Sequence, residues 1–169
     1  MRVLSFGPKA LILVAAMALV AACETAPEAM GTGTEVVAVQ EAVVVETGVV
    51  PGSEEDLVLN VGDRVFFAFD SSEIRPTARE VLDRQAAWMA QYPQNRLVVE
   101  GHCDERGTRE YNLALGERRA NAARQYLISR GVAPNRLTTV SYGKERPVAF
   151  GNNEAAWAQN RRAVSVLAN

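Results

Sequence analysis

From residue 64 to residue 167, short runs of β-branched and aromatic residues alternate with longer runs of helical period, and prolines or glycines stand at the joints. Such alternation restricts the chain to a layered fold in which helices cover a sheet. The first strand is expected at residues 64–69, where Val65, Phe66, Phe67 and Phe69 lead into Asp70-Ser71-Ser72. Pro76 is suited to open a helix, because a first turn leaves its N–H groups unbonded in any case, and Pro93 is suited to end it. Between them Ala78, Val81, Leu82, Met89 and Tyr92 keep a helical period, with Gln85 as one polar interruption. A second strand at 97–99 runs into Glu100-Gly101-His102-Cys103-Asp104, and a long helix follows over 111–130, closed by Gly131. A third strand at 137–142, a short helix at 154–159 and a closing strand at 163–167 complete the set. The order predicts an α/β (α+β) two-layer sandwich, βαβαβ(α)β, with a mixed four-stranded sheet.

The start of the chain is of another kind. Arg2 and Lys9 precede an uncharged run at residues 10–22, and Cys23 follows. The run is shorter than the ~20 residues that a spanning helix needs, and small residues stand before the cysteine, which is the layout of a removable export signal. Leu19-Val20-Ala21-Ala22-Cys23 resembles the bacterial lipobox, so residues 1–22 are expected to be cleaved and Cys23 to carry the lipid. Glu24 follows it where the enteric retention signal has aspartate, which favours delivery to the outer membrane, lipid-anchored and facing the periplasm. Residues 23–56 read as the lipidated N-terminus and a flexible tether, and 57–169 as the folded domain. Val43-Val44-Val45 is the one stretch of the tether that reads alternatively as an edge strand.

Charge and cysteine content narrow the function. Lys and Arg number 18 against 20 Asp and Glu, and both basic residues before Cys23 leave with the signal, so the remaining chain carries −4. That balance, with no basic cluster, argues against nucleic acid, whose affinity rests on phosphate neutralisation. With Cys23 lipidated, Cys103 has no partner for an intramolecular disulfide, and the fold must rest on its apolar core.

On the long helix, Arg119 falls within the stripe made by Leu115, Ala122, Ala123 and Tyr126, while Arg118 points away from it. A buried guanidinium needs partners, because an unpaired buried charge is costly. Asp70 and Asp104 stand at the carboxyl ends of the first two strands, where ligands gather in open α/β sheets, and are the expected partners. Arg119 offers a planar fork to a carboxylate, an aspartate receives an ammonium, and Ser71 and Ser72 add hydroxyls, so the set suits a zwitterion. A structural ion-pair network is the alternative of equal weight.

His102, Cys103, Asp104 and Glu105 are adjacent rather than spaced in pairs, which disfavours a metal site, and no cofactor is expected. A single histidine gives little for nucleophilic catalysis. Asp70 and Asp104 as acid and base on a glycan would conflict with Arg119, which holds them ionised.

Residues 100–120, from Glu100-Gly101-His102-Cys103-Asp104-Glu105-Arg106-Gly107-Thr108 to Gly116-Glu117-Arg118-Arg119-Ala120, closely resemble the signature of the OmpA-like domain of peptidoglycan-associated lipoproteins. Phe67-Ala68-Phe69-Asp70-Ser71-Ser72, Val140-Ser141-Tyr142-Gly143 and Asn160-Arg161-Arg162-Ala163 match in the same order. Cys103 departs from the alanine or threonine of many relatives. The resemblance implies non-enzymatic, non-covalent binding of the diaminopimelate residue of the peptidoglycan stem peptide. It assigns that role to Asp104 and Arg119, helped by Phe69, Asp70, Ser71 and Ser72, with Asn112, Leu113 and Arg162 at the rim or in support. It also implies membership of the Tol-Pal system, with TolB and TolA as partners, in which the complex tethers the outer membrane to the wall and aids constriction at division. An adaptor whose pocket mainly binds TolB is the competing expectation.

Overall fold

The computed structural model describes residues 48–168. The expectations for the export segment, Cys23, Val43-Val44-Val45 and most of the tether lie outside the described residues.

Among the described residues, four strands and four α-helices follow one another as α1 (Glu54–Asp56), β1 (Arg64–Phe66), α2 (Pro76–Gln91), β2 (Leu97–His102), α3 (Arg109–Ser129), β3 (Leu137–Gly143), α4 (Glu154–Asn160) and β4 (Arg162–Leu167). The sheet order is β1-β4-β2-β3, with β2 and β3 parallel and β4 antiparallel to both β1 and β2. The mixed sheet and the two layers agree with the sequence reading. The first strand is shorter than expected: it ends at Phe66, and Phe67 N–H adds one more hydrogen bond in register, to Arg161 O at 2.9 Å.

The folded unit also begins earlier than residue 57. Ser53 caps α1 by accepting from Asp56 N–H at 3.1 Å, and the helix continues into a π turn at Leu57–Val61. Asp56 accepts from Gly52 N–H and Trp88 Nε1–H, both at 2.8 Å, so its carboxylate ties this segment to α2. The serine cap followed by three acidic residues is a helix-start signal that composition had merged into the tether.

The core lies between the helices and one sheet face. It gathers Leu57, Val65, Phe67, Leu82, Trp88, Met89, Leu97, Val99 and Leu127, and each large aliphatic member contributes about 2 kcal/mol relative to exposure. The polar interruption of α2 is satisfied there, since Gln85 donates to Gly62 O at 2.7 Å and accepts from Ser165 Oγ at 2.8 Å. On α3 the buried stripe runs through Asn112, Leu115, Gly116, Arg119, Ala120, Ala123 and Leu127, while Ala122 and Tyr126 are only half-buried.

One contact sets the position of α3. Gly101 on β2 and Gly116 on α3 meet backbone to backbone, and a Cβ on Gly101 would stand 1.8 Å from Gly116 O. This close seat holds the helix against the strand one turn below Arg119, and so carries the arginine to the carboxyl end of β2.

Candidate functional site

At the carboxyl ends of β1 and β2, the loops after each strand and the first turns of α3 enclose a cavity of about 150 Å³. Phe69, Asp70, Asp104, Asn112 and Arg119, five of the residues singled out in the sequence, line it. Cys103, Arg106, Gly107, Tyr111 and Leu115 complete the wall.

Arg119 is fully buried, as its helical position requires. Its partners differ from those expected: the guanidinium pairs with neither Asp70 nor Asp104 and donates to backbone carbonyls instead. Nε reaches Ser71 O at 2.8 Å, Nη1 reaches His102 O at 2.9 Å and Nη2 reaches Ala68 O at 3.1 Å. Carbonyls at the frayed end of β1 and at the last residue of β2 have no ladder partner, so one planar fork satisfies three of them and fixes both loops. Three of five N–H groups are used, which leaves two.

The charge on Asp104 is met by two other arginines. Arg106 approaches with Nη2 2.5 Å from Oδ2, and Arg161 Nη1 lies 3.3 Å from the same oxygen. Asp104 is buried, which opposes ionisation, yet the hydrogen bonds from Arg106 and Arg161 outweigh that penalty and hold its pKa below the ordinary carboxylate range. Arg161 was not singled out in the sequence. Its neighbour Arg162, which was, stays away from the cavity and donates to Asn160 O and Arg146 O on the other side of the sheet. The period of two along an extended chain sends adjacent side chains to opposite faces, so a one-residue difference decides which arginine meets Asp104.

Asp70 adopts φ 52°, a left-handed conformation that aspartate tolerates better than most residues. Its carboxylate accepts from the Tyr111 hydroxyl, and that hydrogen bond raises the phenol's pKa. Ser71 and Ser72 do not line the cavity. Ser71 contributes its carbonyl to Arg119, and its hydroxyl accepts from Glu73 N–H at 3.1 Å. Asn112, also buried, donates through Nδ2 to Arg106 O at 2.7 Å and Thr108 O at 3.0 Å, holding the loop that carries Asp104 and Arg106. Leu113 does not line the cavity and is half exposed, on the side of α3 that faces Ser141 of β3. Cys103 is buried against Asn112 O, and burial raises the pKa of its thiol.

The fold has counterparts among known proteins. Residues 66–161 match the OmpA family. The chain belongs to that family. A peptidoglycan-associated lipoprotein of Rhizobium meliloti is 62% identical over 117 residues, 69% of this chain and 66% of that protein. One of Pseudomonas aeruginosa is 52% identical over 117 residues, 69% of this chain and 69% of that protein. The chain thus spans about two thirds of the length of these relatives. The crystal structure of the peptidoglycan-associated lipoprotein from Burkholderia pseudomallei superposes with a TM-score of 0.61 at 45% identity, covering 63% of this chain and 90% of that one. Among the described residues no helix is long and apolar enough to cross a membrane.

Proposed function

We propose that this chain is an outer-membrane lipoprotein, cleaved before Cys23 and lipidated there, whose folded domain holds the cell wall by binding the diaminopimelate residue of the peptidoglycan stem peptide. The observation that carries the reading is the convergence of Asp104 and Arg119 on one small cavity with Phe69, Asp70 and Asn112. A cavity of about 150 Å³ suits the end of an amino-acid side chain rather than a saccharide. The distal ammonium of diaminopimelate is taken by the carboxylates of Asp70 and Asp104, and the adjacent carboxylate by the two N–H groups that Arg119 has left. Ser71 and Ser72 act through the backbone of their loop, Leu113 at the rim and Arg162 in support. The names of the relatives, peptidoglycan-associated lipoproteins, support the coarser part of this reading, association with peptidoglycan.

Catalysis fits this site poorly. A glycosidase acid needs a raised pKa, and Asp104 has a lowered one because two arginines hold it.

The mouth also suits a protein partner. Phe69 is 60% exposed, Leu113 50% and Tyr111 45%, which gives apolar surface beside the charged cavity. This supports a place in the Tol-Pal system in which TolB takes the face in exchange for the wall, TolA joins the complex, and the tether aids constriction of the outer membrane at division.

The test is co-sedimentation of the chain from Thr25 onward with purified diaminopimelate-type peptidoglycan, alongside Arg119→Ala, Arg119→Lys and Asp104→Ala variants shown to be folded. Wild type is expected to pellet and the folded variants to remain in the supernatant. Wild type that fails to pellet, or variants that pellet equally, would end the anchor reading and leave the adaptor. The lipid is tested by the mass of the mature chain, which an unmodified Cys23 would contradict.

A further inference from the structure

The carboxylate of Asp104 already holds a cation that belongs to the protein. Arg106 donates Nε to Oδ1 at 3.2 Å and Nη2 to Oδ2 at 2.5 Å. Its guanidinium carbon lies 4.1 Å from the ring centroid of Phe69 and 4.1 Å from that of Trp157. Two aromatic faces closed by a carboxylate are the parts of a cage for positive charge. The cage is braced, because Trp157 Nε1 donates to Glu105 Oε1 at 2.9 Å and so brings a second carboxylate to its rim.

The two arginines on Asp104 are held differently. Arg161 is 6% exposed at its side chain and is tied to Phe67 O and Glu154, so it is a fixed counter-ion. Arg106 keeps 31% of its side-chain surface. Its attachments other than the guanidinium are on the backbone, where its N–H donates to Asp104 Oδ1 at 3.2 Å and its carbonyl accepts from Asn112 at 2.7 Å. The side chain can therefore leave while the loop stays in place.

We propose that Phe69, Trp157 and Asp104 form a subsite for alkylammonium or guanidinium groups, and that Arg106 is its internal occupant, displaced when a ligand cation enters. Naming the diaminopimelate ammonium as the displacing group rests on the wall-binding function proposed above, whereas the cage itself does not. An internal competitor lowers apparent affinity by the fraction of time the subsite stands open. Arg106 thus sets how tightly the site holds its ligand and makes that ligand exchangeable.

Arg106→Ala empties the subsite in the mature full chain, kept in detergent micelles. Methylguanidinium chloride is the first probe, followed through the indole N–H resonance of Trp157, with that of buried Trp88 reporting that the core is intact. The probe is expected to move the Trp157 resonance of the variant back toward its wild-type position and to leave wild type unchanged. The second probe is the tripeptide L-Ala–γ-D-Glu–meso-diaminopimelate, titrated by calorimetry. R106A should bind it about tenfold more tightly if Arg106 fills the subsite roughly nine-tenths of the time, and Arg106→Lys should return affinity toward wild type. A Trp157 resonance of R106A that does not respond to methylguanidinium, or tripeptide affinity that is equal or weaker in R106A, overturns the proposal. If the tripeptide binds neither protein, the wall-binding function fails, and the methylguanidinium titration decides the cage by itself.

Discussion

On the helix side of the sheet, Arg119 is wholly buried and gives Nε, Nη1 and Nη2 to three backbone carbonyls. On the opposite side Arg162 is 4% exposed, reaches two carbonyls at 3.4 and 3.2 Å, and leaves Nε without a partner. Beside it His102 is 2% exposed, with both ring nitrogens unbonded, although Nε2 lies 3.4 Å from Glu100 Oε2. The same residue type is buried in both places under opposite conditions. Around Arg119 every donor in use has a carbonyl that needs it, and the result is a fixed frame for the cavity. Around Arg162 the polar groups are incompletely satisfied, which makes that side the weaker part of the molecule.

Substitutions should expose this difference, beginning with Arg119→Met. It strips donors from the carbonyls of Ala68, Ser71 and His102 at once and is expected to cost on the order of 4–5 kcal/mol by chemical denaturation. A cost below about 1 kcal/mol would mean that the frame does not depend on the guanidinium. Asp104→Asn comes next, at roughly 2–3 kcal/mol, because it removes the counter-charge of Arg106 and leaves buried Arg161 with Glu154 alone. It should abolish pelleting with peptidoglycan as well.

The other side of the sheet should announce itself through pH. Burial lowers the pKa of His102 from 6.5 to about 4, and Arg162 on β4, Arg146 in the loop after β3 and Arg64 on β1 add to the effect. Among the described residues Glu100, on the same strand, is the carboxylate within salt-bridge distance of it. The unfolded chain takes up this proton near pH 6.5 and the folded chain only near pH 4, so stability falls as pH drops through that window, by up to about 3 kcal/mol. His102→Phe should flatten the pH dependence between those values, and a slope unchanged in that variant would remove His102 as its source. Arg162→Met should have the smallest effect, within about 1 kcal/mol of wild type, because an incompletely bonded buried arginine gains little over an apolar residue. A loss as large as that of Arg119→Met would erase the contrast between the two sides.

The sequence alone determined the alternation of strands and helices, the burial of Arg119 and the place of Asp70 and Asp104 at the ends of the first two strands, because period and strand ends are local properties of the chain, whereas Phe69 and Asn112 entered through the resemblance to the OmpA-like domain. Tertiary structure decided the partners. Nothing local says that Arg119 bonds carbonyls while Arg106 and Arg161 share Asp104, since those choices depend on which backbone groups the sheet leaves unpaired. Nor could period alone select Arg161 over Arg162, because it requires the register in which β4 enters the sheet, with Phe66 opposite Arg162. The seat of Gly101 on Gly116 belongs to the same class, because only packing brought a glycine of a strand against a glycine of a helix. Local period fixes which faces are buried, whereas pairing across distant segments fixes which charges meet there.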